Sequence, residues 1–163
     1  MSTYRVSQLI ASNNINFRLK NDSRTFVIAF ADNFDIDPIL MKLHSDSTRS
    51  GNNLSLHFEN LKGNNFLPVI EVYLNLDREN KPEETNYVGS MALYGLKESS
   101  TVSDEHDGSG QDWKFDVGQV FNKVRGQSNW SKKQFKLTLI PYHPLPIEAV
   151  LTIGRIELYF NEN

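Results

Sequence analysis

The sequence contains no cysteine, which removes disulfide staples, thiolate nucleophiles and Cys-ligated zinc or iron–sulfur sites from consideration. Histidine is scarce: His44, His57, His106 and His143 are the four present. No two stand at the spacing of about 2 to 5 residues that would set them on one face as paired ligands. No tightly bound metal is therefore expected. Long apolar runs are missing too, since no stretch approaches the roughly 18 residues of a membrane span. The start "MSTYRVSQLIASNN" lacks the basic region and apolar core of a secretory leader. The expectation is a soluble chain, unprocessed or excised from a longer one. A cysteine-free chain tolerates either redox setting, and the cytoplasm is favoured. Charge of one sign is not in excess: 17 Lys and Arg against 20 Asp and Glu leave a net −3, too little to draw the chain to nucleic acid or an anionic membrane. There is no serine elbow, phosphate loop or dinucleotide fingerprint, and nothing in the residues points to catalysis.

What is present is alternation. At 163 residues the chain is long enough to bury a core as a single domain, residues 1–163. Ile15, Phe17 and Leu19 in "INFRLK", and Phe26, Ile28 and Phe30 in "TFVIAF", each share one strand face. The same period runs through Leu54, Leu56 and Phe58, through Ile70, Val72, Leu74 and Leu76, and through Phe135, Leu137 and Leu139. In the last run Leu151 and Ile153 face inward at odd positions, then Ile156, Leu158 and Phe160 at even ones. The slip at Gly154-Arg155 predicts a β-bulge there. "DVGQVFNKVRG" is helical, with Val117, Val120, Phe121 and Val124 at i, i+3, i+4 and i+7, Asp116 as N-cap, Gln119 completing a capping box and Gly126 as the stop. "DPILMKL", 37 to 43, fits a helical turn capped by Asp37 with Pro38 in first position. Polar turns such as "HSDSTRSGNN" and "DRENKPEET" separate the runs. The fold class that follows is all-β: an antiparallel, jelly-roll-like β-sandwich of about 7–8 strands with one short helix near 117–124.

The sharpest chemical temptation is "SDEHDGSG", where Asp104, Glu105, His106 and Asp107 stand together. It lacks the ligand spacing and closing glutamate of a calcium loop, and carboxylates among Ser and Gly in a turn stay solvated rather than poised for acid–base work. It reads as the long connection that follows "YVGSMALYGL", a strand in which Gly89 and Gly95 permit a bend or close backbone approach. His57 lies on the polar face of its strand, and His143 in the proline-bounded "PYHPLP". Loop aromatics differ. Phe66, Trp130 and Tyr142 are each flanked by turn residues, where no strand pattern requires a large apolar group. Any of them that protrudes is a candidate partner contact.

In order along the chain, "NLSLHFENLKGNNFLPVIEVYLNL", "YVGSMALYGLKESS", "DGSGQDWKFDVGQVFNKV", "FKLTLIPYHPLP" and "LTIGRIELYF" resemble the C-terminal β-sandwich that follows the catalytic domain in bacterial tyrosinase-family proteins. Distantly, they also resemble the C-terminal part of plant polyphenol oxidases. "YVGS" and "LTIGR" occupy the places of that family's "FAGSF"-like and terminal "VTIGG"-like strands. The resemblance implies a non-catalytic body. In the family, the chemistry belongs to a separate helical domain with two histidine-bound coppers, and the sandwich packs over its entrance, often presenting a bulky residue where a phenol would bind. This chain has no set of six histidines, so no catalytic, cofactor or metal residue is carried over, and copper belongs to the implied partner domain. The family's entrance-filling residue has no assigned counterpart here. The leading expectation is an accessory domain or subunit that covers or stabilises a di-copper catalytic domain. The alternative is a free-standing interaction or ligand-binding sandwich.

Overall fold

Alternating segments pair into strands because period 2 gives each one a face to bury and a face to wet. The structure, a computed structural model, describes residues 6–13, 17–20, 23–45 and 51–162. Ile15 and residues 46–50 of the "HSDSTRSGNN" turn lie outside the described residues, as do the side chains of Phe17 and His44. The strands are β1 (Val6–Asn13), β2 (Phe17–Leu19), β3 (Arg24–Ala29), β4 (Asn53–Gly63), β5 (Ile70–Leu74), β6 (Tyr87–Met91), β7 (Gln111–Asp116), β8 (Gln134–Pro141) and β9 (Leu151–Glu162). One antiparallel sheet has the order β1-β9-β4-β7, with β2 continuing the edge along β9, and the other has the order β3-β8-β5-β6. The antiparallel sandwich expected from the sequence is what forms. A bridge between Ala11 and Phe30 joins the sheets along one side. On the other side Gly89 lets β6 lie against β7: a Cβ there would stand 2.7 Å from Phe115 Cε1.

Two counts differ from the sequence reading. Among the described residues there are nine strands, because β1 pairs with β9 through a register shift between Leu9 and Ala11. The shift buries Ile10 and Ala11 in succession, so no clean alternation marks the segment. The described residues also hold three α-helices, α1 (Asp37–Ser45), α2 (Leu96–Ser99) and α3 (Gly118–Val124); α2 is a single turn, too short to show a period. Val117, not Asp116, holds the N-cap position of α3, while Asp116 Oδ1 accepts the Gly118 N–H at 3.2 Å. Arg125, in right-handed conformation, closes the helix in place of Gly126.

The expected bulge in β9 is absent. Ile153 and Ile156 are both fully buried, yet β9 runs against β4 without a register shift, from Gly63↔Leu151 to Asn53↔Asn161. Both strands change phase together. Asn60, in left-handed conformation at φ 55°, lies against Gly154, where a Cβ would stand 2.9 Å from the Asn60 Cβ. Because each partner slips by the same residue, their ladder stays in step, and the mismatch appears between β4 and β7, after Phe58.

The inner faces make one core, closed at one end by α1 and α3. Phe121 is fully buried, with its ring edge-on to Trp130 at 5.8 Å and to Phe135 at 5.7 Å. Beside it an amide cluster ties loops together: Asn86 Nδ2 donates to the Leu74 and Asn75 carbonyls at 2.9 Å, and Asn75 Nδ2 donates to Gln127 Oε1 and Asn129 Oδ1 at 2.9 Å. On the outer face of the β1-β9-β4-β7 sheet, Glu157 is buried between Arg155 and Tyr159. The hydrogen bond to Glu157, then burial, pushes the Tyr159 phenol up to about 12. The His57 ring packs at 4.7 Å against Tyr159, tilted by 41°, and shares a 2.8 Å hydrogen bond with Ser55 Oγ.

Truncating Phe121 to Ala is expected to cost about 3 to 5 kcal/mol of unfolding free energy, read as a shift of the denaturation midpoint; an unchanged midpoint would show that α3 lies loose. Burial, then the Lys114 charge, holds the His57 imidazole below its ordinary 6.5. The unfolded chain thus binds the proton first, and this contribution to stability, present above 6.5, is lost as pH falls through the depressed folded value. Denaturant midpoints measured from about pH 8 to pH 5 should decline, and more shallowly in His57→Gln; equal slopes would refute the assignment.

Candidate docking end of the sandwich

Strand direction decides which loops meet. Ile70 pairs with Pro141 and with Met91, and Gly63 pairs with Leu151. Connections 64–69, 92–110 and 142–150 therefore leave from the same end. Tyr142 N–H donates to the Val69 carbonyl at 2.8 Å, which brings the Phe66 loop against the Tyr142 loop. Leu74 pairs with Leu137, so the chain before Gln134, including Trp130, lies at the opposite end. Of the three loop aromatics, then, Phe66 and Tyr142 come together and are exposed. Trp130 folds down on Phe121.

The loops are braced. Asn64 Nδ2 donates to the Glu148 carbonyl at 3.0 Å, and Val150 N–H donates to Asn64 Oδ1 at 2.9 Å. Gly63 N–H donates to Ser100 Oγ at 3.0 Å. A Cβ on Gly63 would stand 2.9 Å from both Leu67 Cδ1 and Leu96 Cδ2, so α2 packs directly under the Phe66 loop. Gly95, at φ 72°, makes the bend into α2, and Gln111 Nε2 holds the Tyr94 carbonyl at 2.6 Å. Pro68 stiffens the same loop behind Phe66.

Among the described residues the five most exposed large apolar side chains are Tyr94 at 87%, Ile147 at 84%, Phe66 at 83%, Val102 at 79% and Tyr142 at 65%. All five lie in these three connections. Tyr94 and Ile147 were not singled out from the sequence. Ile147 follows Pro144 and Pro146 and carried the same turn-flanked signal as Phe66, whereas Tyr94 was hidden inside an apparent strand. A concentration of this kind at one end differs from the singly scattered apolar exposure of an ordinary surface.

The acidic loop is the flank of this end. Val102 bridges Asp107, and Asp107 Oδ1 accepts the Ser109 N–H at 2.9 Å and its hydroxyl at 2.6 Å. The hydroxyl bond, then the amide bond, holds the Asp107 carboxyl below the usual range. His106 is exposed. Among the described residues no three His, Asp or Glu side chains are grouped so as to hold a metal ion, and these residues do not fit a copper centre.

Over 105 residues the chain is 33% identical to Tyrosinase HcTyr1 of Hahella sp. (strain CCB-MM4), a stretch covering 64% of this chain and 22% of that protein. The structure of latent apple tyrosinase superposes on 90% of the chain with a TM-score of 0.53 at 14% identity, using 27% of its own length. A recombinant latent aurone synthase (polyphenol oxidase), co-crystallised with hexatungstotellurate(VI), superposes on 90% with a TM-score of 0.54 at 12% identity, using 25% of its length. At such identities the two solved structures speak to the fold. The chain spans about a quarter of these relatives, and the resemblance to the tyrosinase-type sandwich is borne out. With residues 6–161 matched by its profile, the chain belongs to the family described as Domain of unknown function (DUF7868).

Proposed function

We propose that this chain is the non-catalytic accessory sandwich of a phenol oxidase, seated by its exposed loop end over the entrance of a di-copper catalytic domain in the same polypeptide or in a separate subunit. The observation that carries the reading is the concentration of Tyr94, Ile147, Phe66, Val102 and Tyr142 at one braced end. The similarity to a tyrosinase over about a fifth of its length, and to solved enzymes that are called latent, supports it. The mechanism is steric exclusion: the chain makes and breaks no bond. A body over the opening must leave before a phenol enters, so the docking free energy adds to the cost of reaching the reactive state. Each 1.4 kcal/mol of preference for the closed arrangement lowers the open fraction about tenfold. Rigid loops suit this role because little conformational freedom is lost on seating.

Phe66 is the first side chain to test. Asn65 Oδ1 accepts its N–H at 2.8 Å, and its ring stands clear of the sandwich. Trp130, packed on Phe121, has a role in the core instead. Phenol oxidation by the copper-loaded enzyme carrying this chain should rise on mild detergent release. In Phe66→Ala the activity before release should rise about tenfold, as for loss of an interfacial anchor; no rise in either case would sink the reading. If the chain instead binds a glycan or an unrelated protein and leaves phenol oxidation untouched, the free-standing module takes its place. Copper resides in the partner on this reading, so elemental analysis of the isolated chain, purified without a histidine tag, should find no stoichiometric metal after dialysis.

A further inference from the structure

Charge is sorted across the docking end. In strand order, β2 and β3 form one side of the sandwich, and β6 and β7 form the other. The β4–β5 and β8–β9 connections, bearing Phe66, Tyr142 and Ile147, cross between them. The connection on the β6–β7 side carries Glu98, Asp104, Glu105 and Asp107, all exposed, against exposed Lys97 and, beside Asp107 at the end of β4, exposed Lys62. On the opposite side Leu19 pairs with Leu151 and Arg24 with Leu139, so among the described residues Arg18, Lys20 and Arg24, all exposed, border the same end, with Asp22 of the intervening segment outside the described residues. An apolar centre thus lies between an acidic flank and a basic flank.

Resting on the accessory reading, we infer that this polarity sets the orientation in which the sandwich seats. The partner's opening is apolar, with Lys and Arg bordering the side that receives the Glu98–Asp107 connection and carboxylates bordering the side that receives Arg18, Lys20 and Arg24. Exposed charges at the rim of a contact add little affinity individually but select register and reject the reversed approach, in which like charges meet. The apolar centre alone cannot do this, because hydrophobic burial is non-directional. Glu98 and Asp104 through Asp107 then have a purpose that the solvated-loop reading did not give them. Closure becomes sensitive to ionic strength, since the screening length falls from about 30 Å at 0.01 M salt to about 3 Å at 1 M.

The test uses the copper-loaded enzyme bearing this chain, with latency read as phenol oxidation after detergent release divided by that before. Latency should fall as salt rises. At low salt, Asp104→Lys with Glu105→Lys should lower it about two- to fivefold, as should Arg18→Glu with Lys20→Glu, the range expected for a few exposed pairs. At high salt both variants should match the parent. Unfolding midpoints equal to the parent's show that the variants are folded. Glu79→Lys, in the turn after β5 at the far end, should leave latency unchanged. If both flank reversals behave as the parent at low salt while Phe66→Ala still releases activity, the oriented-docking inference is wrong and the accessory reading stands. A change with Glu79→Lys as large as with the flank reversals would reduce the effect to net charge and overturn the inference. Absence of any latency removes both.

Discussion

The pairing of β4 with β9 is the constraint on which the rest depends. It is the longest ladder among the described residues, running in step from Asn53↔Asn161 to Gly63↔Leu151, and it lies at the centre of its sheet with β1, β2 and β7 on its flanks. Such a ladder could not change which side chains face the core unless both strands did so at once, since a slip in one alone turns its remaining residues to the wrong face. Asn60 and Gly154 make the joint change possible: one accepts a left-handed backbone, the other has no Cβ to strike its neighbour. Leu61 and Ile153 then reach the core beyond the slip just as Phe58 and Ile156 do before it.

The two ends are built from different chemistry. At the α1 and α3 end, aromatic rings meet edge-on around Phe121, and side-chain amides of Asn75, Asn86, Gln127 and Asn129 satisfy one another and the adjacent carbonyls. A polar cluster of this kind, with Asn75 and Asn86 buried, holds its loops because an unpaired group at either would be costly. At the other end single polar side chains tie the loops to backbone groups, Asn64 to Glu148 and Val150 and Ser100 to Gly63. Their large apolar side chains are left for water. One end completes the fold, and the other displays what the fold holds still.

Much of this was legible in the residues. The alternation of β3, β5 and β8, and that of β4 and β9 on either side of their slip, was readable because period 2 is a local property. β1 was not, since its irregularity at Ile10 erases the pattern that would have announced it. The bulge placed at Gly154 was a fair inference for a strand considered alone; the partner's simultaneous slip at Asn60 is a fact about pairing that no single segment contains. The same holds for the exposed loop end. Phe66, Trp130 and Tyr142 look alike in sequence, each large and apolar among turn residues, and only the antiparallel register of β5 with β8 separates the first and last from the second. Tyr94 escaped notice because it continues an apolar run, and the sorting of Glu98–Asp107 from Arg18–Arg24 depends on which strands end up as edges.

Connections 64–69, 92–110 and 142–150 each pass from one sheet to the other: β4 to β5, β6 to β7 and β8 to β9. The display at that end is therefore strung across the gap between the layers, about 10 Å in a typical sandwich, and its shape is a function of that gap. A buried residue such as Leu56 or Leu139, remote from the display in every direct sense, sets the thickness of the filling and with it the distances between Phe66, Tyr94 and Tyr142. Natural selection on the outline of this surface consequently acts on residues that never see solvent. Two sequences with identical loops and differently filled interiors would present different outlines.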